Sequence, residues 1–516
     1  MTGAVAAGHQ LTAEAGARVL AEGGNAVDAC VAAAFASWVA ESPLTGPGGG
    51  GFMLVHRARD RSTRVIDFFV AAPGLGLEPG ETTAMEAVDV DFSGDSSQVF
   101  KIGAASCAVP GAAAGLEAAH RAHGSLPWRE LIAPAIELAR DGLELTRPQA
   151  YLHAILDLIL RHTQEGRAIY GEEARLVAGD RIAIPDLAVT LELLAERGAV
   201  ELSTGELAHA LVRHVRAGGG AITERDLAEF RVVRRRPVHA VYRGHDFCSN
   251  PPPSAGGILI SYGLRLLDRL DRDAEPGSAE AIALLAEVMG EQGRSRAHGF
   301  ERALLRGGLD AHLRREEARA AARIKARLGP TVAERATPGG TTHISVIDGR
   351  RNAAALTIST GAGSGVVVPG TGIQLNNMLG EFDLPRPPRP GSRLSSMMSP
   401  SLVSHEHGPR LVVGSAGSLR LRSAVLQVVV NVVGHELPVA EAVDRPRMHL
   451  EGTHLHCEGG TDPEEIDRLL GMDYDVVRWR RRNLYFGGVS AVEVLPDGSL
   501  AAAGDPRRGG AGIVVG

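Results

Sequence analysis

The first half of the chain carries mainly a helical spacing of apolar residues, interrupted by one segment that alternates. Apolar positions recur every three to four residues over about 11–22 and stop at Gly23-Gly24, after which Asn25 introduces a second and more apolar helix. Residues 52–56 and 64–69 alternate instead and are joined by a polar segment, which predicts a hairpin. Further helical patterns lie over 111–122, 130–141, 187–197 and 256–270.

The C-terminal third changes to short alternating strands. Residues 341–348 (TTHISVID) and 353–359 (AAALTIS) flank a turn, and a second hairpin joins 491–495 to 499–504. The segment 424–433 (AVLQVVVNVV) fits two structures, because its β-branched residues favour a strand whereas its length and lack of alternation permit a buried helix. The pattern therefore predicts a mainly helical N-terminal part and a strand-rich C-terminal part.

Composition limits the classes of function. With 516 residues, the chain can form one large layered domain or two domains. Its hydrophobic content of 44% and charged content of 22% are typical of a globular protein, and the net charge of -7 gives no reason to expect nucleic acid or an anionic membrane as a partner. The Arg-rich run 301–327 has interspersed acidic residues and predicts a solvated helix, interrupted at Gly307-Gly308. A small-molecule or peptide substrate is expected.

The location and the cofactor content are also predicted from the sequence. The N-terminus has no basic residue before an apolar run, and the longest uncharged apolar stretch, 29–40, is too short to span a bilayer, so we expect a cytoplasmic protein. The four cysteines lie far apart and are expected to be reduced thiols. The glycine run 48–51 lacks the Gly-Lys-Ser/Thr of a phosphate loop and predicts close packing, so no cofactor is expected.

One cluster of side chains deserves a test for metal binding. His449, His454, His456 and Cys457 lie close in sequence, and alternate spacing would put His454 and His456 on one face of a strand. No carboxylate obviously converges on them. We therefore predict no metal site.

The main candidate for chemistry is Thr341, which follows two glycines where the strand pattern begins. A threonine hydroxyl is a weak nucleophile unless a base takes its proton, and the α-amine of a chain that begins with threonine can be that base. An internal threonine reaches this state only if the Gly340–Thr341 bond breaks, and the glycines can adopt the strained backbone that attack by Thr341 requires. Taken alone, the same spacing also fits a loop that enters a strand. Since the amine can act as the base, we expect the neighbouring His343 to have a packing or positioning role.

Several separated segments together make the chain similar to the γ-glutamyltransferase family of self-processing N-terminal-nucleophile enzymes. They are EGGNAVDACVAAAFA (22–36), GPGGGGFMLVH (46–56), AVPGAAAGLE (108–117), PPPSAGG (251–257), TTHISVID (341–348), PGTGIQLNNMLGEF (369–382), LSSMMSPSL (394–402), GSAGSLR (414–420) and DPRRGGAG (505–512). Their order and spacing match the family over essentially the whole chain. The resemblance also favours the helix for 424–433.

The resemblance implies catalytic roles for residues at matching positions. Thr341 corresponds to the nucleophile released by cleavage after Gly340, and Ser359 falls where the family has a threonine whose hydroxyl supports the nucleophile. Gly417 and Ser418 match the two residues whose backbone N–H groups form the oxyanion hole, and a serine at the second position still supplies an N–H.

The substrate-binding positions are only partly matched. Ser395 and Ser396 correspond to a Ser-Ser pair that binds the substrate α-carboxylate, and Glu381 stands where the family has an aspartate that binds the α-amine. Phe69, however, occupies the position of an arginine that grips the α-carboxylate in γ-glutamyl-specific members, and Met378 replaces a polar ligand of the amine. The amide chemistry is therefore expected to be retained, with an altered acyl specificity.

The resemblance implies an α+β fold, the four-layer αββα sandwich of N-terminal-nucleophile hydrolases, built jointly by a large subunit (1–340) and a small subunit (341–516). The expected function is that of a γ-glutamyltransferase-like amide hydrolase or acyltransferase acting on γ-glutamyl compounds such as glutathione, or on a related small acyl amide. The alternatives are an acylase or amidohydrolase for a non-glutamyl amide, similar to cephalosporin acylases or oxamate hydrolases, and an uncleaved, inactive binding protein on the same fold.

Overall fold

The computed structural model describes residues 2–78, 80–91, 97–270, 274–297, 299–326, 340–380, 388–417 and 420–516. Two of the predicted site residues, Glu381 and Ser418, lie outside the described residues. The strands are, in chain order, β1 (Gly3–Ala7), β2 (Gly50–Arg57), β3 (Ser62–Asp67), β4 (Glu86–Asp91), β5 (Ser97–Ile102), β6 (Leu143–Glu144), β7 (Arg181–Ile182), β8 (Val233–Arg235), β9 (Val238–Tyr242), β10 (His245–Ser249), β11 (Thr342–Asp348), β12 (Ala353–Ser359), β13 (Val367–Val368), β14 (Ile373–Gln374), β15 (Ser401–His405), β16 (Gly408–Ala416), β17 (Met448–Glu451), β18 (His454–Cys457), β19 (Asp475–Arg478), β20 (Gly488–Val494), β21 (Leu500–Gly504) and β22 (Ala511–Val515).

The α-helices are, in chain order, α1 (Gln10–Ala21), α2 (Ala26–Ala40), α3 (Ala112–His123), α4 (Trp128–Asp141), α5 (Arg147–Ile155), α6 (Asp157–Leu160), α7 (Gln164–Tyr170), α8 (Pro185–Arg197), α9 (Glu206–Ala217), α10 (Glu224–Glu229), α11 (Gly256–Leu270), α12 (Ala279–Ser295), α13 (Phe300–Arg306), α14 (Leu309–Ala326), α15 (Leu421–Val429), α16 (Val439–Asp444) and α17 (Pro463–Gly471). In the described parts of the chain, none of these helices combines the length and the apolar character needed to cross a membrane.

Two antiparallel sheets form the middle of the protein. The first has seven strands in the order β22-β1-β11-β12-β2-β3-β8, and the second has six in the order β21-β20-β16-β15-β10-β9. The sheets pack face to face, and the space between them is filled by side chains such as Phe52, Leu54, Ile347, Val412 and Val492. Because β12 lies inside this stack and is buried on both faces, small and apolar residues occupy nearly all of its positions.

Helices cover the outer face of each sheet. The first sheet is covered by α1, α2 and α3, and the second by α11 and α15, with a separate apolar core beneath each group. The layers are therefore helix, sheet, sheet and helix, which confirms the predicted αββα sandwich and its α+β class.

The C-terminal end of helix α2 lies beside the start of β11. Asn25 caps its first turn, since the Asn25 side chain accepts from the N–H groups of Val27 and Asp28 while the Asp28 carboxylate accepts from the Asn25 N–H. Every residue of the helix is buried, as its almost wholly apolar sequence requires. It ends at Glu41, whose carboxylate lies beside the start of β11.

Most of the predicted elements are present. The described part of the run 301–327, up to Ala326, lies in α13 and α14, which are separated at Gly307 and Gly308, both with a positive φ. The segment 424–433 is helical, as α15 followed by one π-helical turn. The first hairpin differs in its bounds, because β3 begins at Ser62 and ends at Asp67, where its pairing with β2 stops.

Candidate active site

Thr341 directly precedes β11 and lies against the end of β12. The β11–β12 register pairs Thr342 with Ile358, so Thr341 faces Ser359. Thr341 is 4% exposed, and its Oγ1 donates a hydrogen bond to Ser359 Oγ at 3.4 Å. The structure therefore brings the predicted nucleophile and its predicted supporting hydroxyl together.

The Ser359 hydroxyl makes two further contacts. It donates to the carbonyl oxygen of Gly340 and accepts from the N–H of Gly361 at 2.7 Å. A chain of hydrogen bonds thus runs from the Thr341 hydroxyl through Ser359 to the carbonyl of the bond that would be cleaved. A donor on that carbonyl makes its carbon more electrophilic and stabilises negative charge on its oxygen.

The glycine run 48–51 lies directly behind this chain. A Cβ on Gly49 would stand 2.4 Å from the carbonyl oxygen of Ser359, closer than real Cβ contacts allow. The run therefore permits the close approach of β2 to β12, as the sequence predicted.

A buried carboxylate lies on the other side of Thr341. Glu41 accepts hydrogen bonds from Thr342 Oγ1 at 2.5 Å and from Thr12 Oγ1 at 2.9 Å. Burial raises the pKa of Glu41, while the hydrogen bond from Thr342 and the charges of His9 and Arg508 oppose that rise. Sequence reasoning missed Glu41, and no local pattern distinguishes it from any other acidic residue at a helix end.

Arg508 holds the backbone of the predicted nucleophile, Thr341. Its Nη1 donates to the Thr341 carbonyl at 3.3 Å. Burial lowers the pKa of Arg508 to about 10, and the charges of Asp505 and Glu41 oppose this fall. The neighbouring Arg507 instead forms buried ion pairs with Glu458 and with Asp505. The segment 505–512 is one of those that carry the family resemblance, but only the structure shows that its two arginines have different partners.

Gly417 lies near the same arginine. A Cβ on Gly417 would stand 3.8 Å from Arg508 Nη2 and 3.0 Å from the Cα of Gly487, and Gly417 has a φ of 118° that favours glycine. Gly417 and Thr341 therefore share Arg508 as a neighbour. The second predicted oxyanion residue, Ser418, lies outside the described residues.

His343 does not contact Thr341 in the hydrogen bonds that the structure describes. Its Nδ1 lies 2.8 Å from Thr357 Oγ1 and its Nε2 lies 3.0 Å from Ser345 Oγ. Burial lowers the pKa of His343 to about 3, so the ring is neutral at ordinary pH. Its contacts fix the position of β11 against β12.

The predicted substrate-binding residues fall into two groups. Phe69 and Met378 are buried in the core between the sheets, and the Phe69 ring stacks on Phe52 with centroids 5.4 Å apart. Ser395 and Ser396 are half-buried, and the Ser396 hydroxyl accepts from the N–H of Met398 at 3.0 Å. The remaining predicted substrate-binding residue, Glu381, lies outside the described residues.

A guanidinium does lie beside Phe69, but it comes from Arg393. This side chain donates to the Phe69 carbonyl, forms an ion pair with Asp67 at 3.2 Å and lies 4.6 Å above the Phe230 ring. Asp67 also pairs with Arg235 at 2.7 Å and is fully buried. The charge of Arg393 is therefore engaged within the protein.

The histidine cluster has other partners. His454 and His456 do lie on one face of β18, with rings 6.4 Å apart, but His454 pairs with Asp475 and His456 accepts from Trp479 Nε1 at 3.1 Å. His449 is buried with its Nδ1 2.7 Å from Ser423 Oγ. Within the described ranges, no three His, Cys, Asp or Glu side chains are grouped in a way that could hold a metal ion.

The chain is similar to known proteins over nearly its whole length. The chain matches the Gamma-glutamyltranspeptidase family over residues 12–515. It is 32% identical to the glutathione hydrolase proenzyme of Escherichia coli (strain K12) over 535 residues, covering 98% of this chain and 90% of that protein. It is 33% identical to the acylase ACY 1 proenzyme of Pseudomonas sp. (strain SE83) over 531 residues, covering 99% and 93%.

The fold is shared with a solved structure, that of cephalosporin acylase from Bacillus halodurans, at a TM-score of 0.85 and 24% identity over 99% of this chain and 95% of that one. The sequence matches extend across nearly the whole chain, and the αββα layers place Thr341 at the head of a central strand. The chain thus belongs to the gamma-glutamyltranspeptidase family of N-terminal-nucleophile amide hydrolases and acyltransferases.

Proposed function

We propose that the protein is a self-processing amidohydrolase or acyltransferase whose nucleophile is Thr341, released as the first residue of the fragment 341–516. The observation that carries the proposal is the hydrogen-bond chain from the Thr341 hydroxyl through Ser359 to the Gly340 carbonyl. It supports attack of that hydroxyl on that carbonyl, because the nucleophile and the activated carbonyl share one bridging group.

Self-cleavage follows from this geometry in two steps. The Thr341 oxygen attacks the Gly340 carbonyl carbon, the C–N bond breaks, and the hydroxyl proton ends on the released amine, which leaves an ester between Gly340 and Thr341. Water then hydrolyses the ester and gives the Gly340 carboxylate and a free hydroxyl. Arg508 holds the Thr341 carbonyl, and Glu41 holds the neighbouring Thr342, so the backbone on the C-terminal side of the bond stays in position.

Turnover of a substrate uses the same groups. The free α-amine of Thr341 accepts the hydroxyl proton as the oxygen attacks an amide carbonyl, and the protonated amine returns a proton to the leaving amine. The N–H groups of Gly417 and Ser418 are the proposed donors to the oxyanion; removing one such donor typically costs about 3 kcal/mol of barrier. Water or an acceptor amine then resolves the acyl-enzyme. The two fragments remain together as the working heterodimer.

Two classes of acyl group are candidates for the substrate. The name of the E. coli relative makes glutathione and other γ-glutamyl compounds the first substrates to test, and the acylase relative makes non-glutamyl amides the second. The packing around Phe69 favours the second group, because Phe69 and Met378 are apolar and the nearby Arg393 is paired with Asp67. We infer an acyl chain that lacks the α-amino and α-carboxylate pair.

The first test is the mass of the purified chain. The wild type is expected as two fragments, 1–340 and 341–516, on denaturing electrophoresis, with Thr341 as the N-terminal residue of the smaller one. Thr341→Ala removes the attacking oxygen and is expected to stay as one chain, whereas Thr341→Ser keeps a hydroxyl and serves as the matched control. A wild type that stays intact would favour the inactive binding protein.

The processed enzyme is then given three anilides that differ only at the far end of the acyl chain: γ-glutamyl, glutaryl, which lacks the amine, and butanoyl, which lacks both charged groups. Losing the partner of a buried charged group typically costs about 2 to 5 kcal/mol, so kcat/KM for the γ-glutamyl anilide is expected to be at least about 30-fold below that of the best of the other two. Preference for the γ-glutamyl anilide would overturn the inferred acyl specificity and leave the nucleophile assignment intact.

A further inference from the structure

Arg508 places an unpaired positive charge beside Thr341. Its Nη1 donates to the Thr341 carbonyl at 3.3 Å, and its Nε is buried without a hydrogen-bond partner in the described part of the chain. None of the carboxylates that the structure describes lies within ion-pair distance of it. The adjacent Arg507 is different, because it pairs with both Glu458 and Asp505. The charge of Arg508 is therefore not neutralised by a partner.

Glycines leave the room that the Arg508 side chain occupies. A Cβ on Gly488 would stand 2.7 Å from Arg508 Nε, so a larger residue there would displace the guanidinium. At the far end of the side chain, Nη2 lies 3.8 Å from where a Cβ of Gly417 would be. The side chain thus passes over Gly488 and ends near both Thr341 and Gly417. Its charged group is held at the site.

Two carboxylates lie near the same group. Glu41 accepts hydrogen bonds from two threonine hydroxyls, and its charge acts on Arg508 from beyond ion-pair distance. Asp505 pairs with Arg447 at 2.7 Å and with Arg507 at 3.1 Å. Both carboxylates weaken the positive field of Arg508, but neither cancels it, since each has closer partners of its own.

The basic groups of the neighbouring elements are held by other contacts. His343 on β11 is neutral, since burial lowers its pKa to about 3. His9, just before α1, uses its Nδ1 to accept from a backbone N–H at 3.1 Å. Arg420, just before α15, lies 3.9 Å above a tyrosine ring, and its charge adds to the positive field at Arg508. Among all these charged groups, Arg508 is the one that hydrogen-bonds to Thr341 itself.

Cleavage before Thr341 would create a titratable group next to this charge. The released α-amine and the carbonyl oxygen that Arg508 binds belong to one residue, so they lie within about 4 Å of each other. An α-amine ordinarily has a pKa of about 7.7 to 8.0 and is mostly protonated at neutral pH, a form that cannot accept the proton of the hydroxyl. A neighbouring positive charge disfavours that protonated form.

We propose that Arg508 is a positioning residue that acts through this amine: it holds Thr341 in place, and its unpaired charge keeps the released amine in the unprotonated form. The amine can then take the hydroxyl proton at neutral pH, as the proposed mechanism requires. The inference rests on the proposed release of Thr341 as an N-terminal residue, and it adds the group that prepares the base for its task.

The test is the pH dependence of kcat/KM, measured with the anilide that the processed enzyme turns over best. Activity falls on the acid side as the base of the free enzyme takes up a proton. Arg508→Gln removes the charge, which raises the amine pKa and should move this acid limb up by about 0.5 to 1.5 pH units. Arg508→Lys keeps a positive charge and should leave the limb close to that of the wild type. Arg302→Gln, at an exposed position on α13, is the remote control.

A second measurement covers an Arg508→Gln chain that fails to fold or to cleave itself. The fragment 341–516 contains no lysine, so the Thr341 amine would be its only amino group. The wild-type enzyme is labelled with acetic anhydride over the same range of pH, and the acetylated fragment is quantified by mass. The midpoint of labelling is expected below about pH 7.7, and a midpoint at or above that value would contradict the proposal.

The outcomes separate this inference from the proposed function. A wild type that is never cleaved before Thr341 would refute the proposed function itself. Cleavage together with the same acid limb in Arg508→Gln and the wild type, whatever the loss of rate, would overturn only the role of Arg508. The limb should also persist in Glu41→Gln. Its disappearance in that variant would show that Glu41, and not the amine, titrates, and would overturn the inference as well.

Discussion

At the scale of single residues, Ser359 is the most informative position. Its hydroxyl accepts from Thr341, donates to Gly340 and accepts from the Gly361 N–H, so one oxygen joins the proposed nucleophile to the bond that we propose it attacks. The relatives implied by the resemblance carry threonine there, which offers the same hydroxyl with one more methyl group. What matters at this position is therefore the hydroxyl.

Ser359→Ala removes the donor to the Gly340 carbonyl, and self-cleavage is expected to slow by about 100-fold, the usual effect of losing one oxyanion donor. Ser359→Thr restores the hydroxyl and should process at a rate within a few-fold of the wild type. The measurement is the time course of the two fragments on denaturing gels after expression of the intact chain. Equal rates for Ser359→Ala and wild type would exclude the bridging role.

At the scale of elements, three separate segments meet behind the nucleophile. The C-terminal end of α2 supplies Glu41, the turn from β1 and the first turn of α1 supply Gly8 and Thr12, and the start of β11 supplies Thr342. The fit is tight, because a Cβ on Gly8 would stand 2.4 Å from Glu41 Oε2 and 2.7 Å from Thr342 Oγ1. The absence of a side chain at Gly8 is thus what lets Glu41 reach Thr342.

Gly8→Ala is expected to push Glu41 away from Thr342 and to lower the free energy of unfolding by about 1 to 3 kcal/mol, as overpacking usually does. Self-cleavage should slow as well, because Thr342 adjoins the nucleophile. Gly471→Ala at the end of α17 is the control, since a Cβ there meets nothing within 4 Å. Urea unfolding and the fragment time course measure the two effects, and a Gly8→Ala chain as stable and as fast as Gly471→Ala would contradict this account.

At the scale of the whole molecule, the two proposed fragments are interleaved rather than side by side. In the first sheet β22, β11 and β12 would come from the small fragment, and β1, β2, β3 and β8 from the large one. The second sheet is divided in the same way, with β9 and β10 from the large fragment. Neither fragment could complete a sheet alone. After cleavage at Gly340 the two fragments would therefore stay paired through both sheets, and the core would be unchanged.

The interleaved core also buries neutral histidines from both halves of the chain. Burial lowers the pKa of His153 to about 4 and that of His343 to about 3, against an ordinary value of 6.5. Between pH 6.5 and 4 the unfolded chain therefore binds protons at these sites that the folded chain does not. Stability is full above pH 6.5 and is lost as the pH falls through this window.

The free energy of unfolding of the Thr341→Ala chain is expected to fall from pH 7 to pH 5 by about 1 to 2 kcal/mol for each of these two histidines. His153→Phe removes one of them and should make the fall smaller by that amount, whereas the exposed His407→Asn should leave it unchanged. Urea titrations at each pH measure the difference. The same pH dependence in all three chains would show that His153 is not responsible.

The sequence by itself predicted most of the elements and, with the resemblance, the candidate nucleophile. Helical spacing predicted the helices near 11–22, 187–197 and 256–270. The recurrence of apolar residues every three to four positions is a local property, so a short stretch of sequence is enough to show it. The paired glycines before Thr341, together with the resemblance, identified the residue that the structure places at the head of β11 and opposite Ser359.

Only the tertiary structure decided what surrounds that residue. Glu41 reaches Thr342 from 301 positions away along the chain, and Arg508 reaches Thr341 from 167 positions away. The strand register that joins β22 to β1 and β1 to β11 is likewise specified by no local pattern. The pairing of Arg393 with Asp67 beside Phe69 was equally invisible. The physical reason is the same in each case: these contacts depend on which faces of distant elements are packed together, and burial then sets the charge and pKa of the groups that meet there.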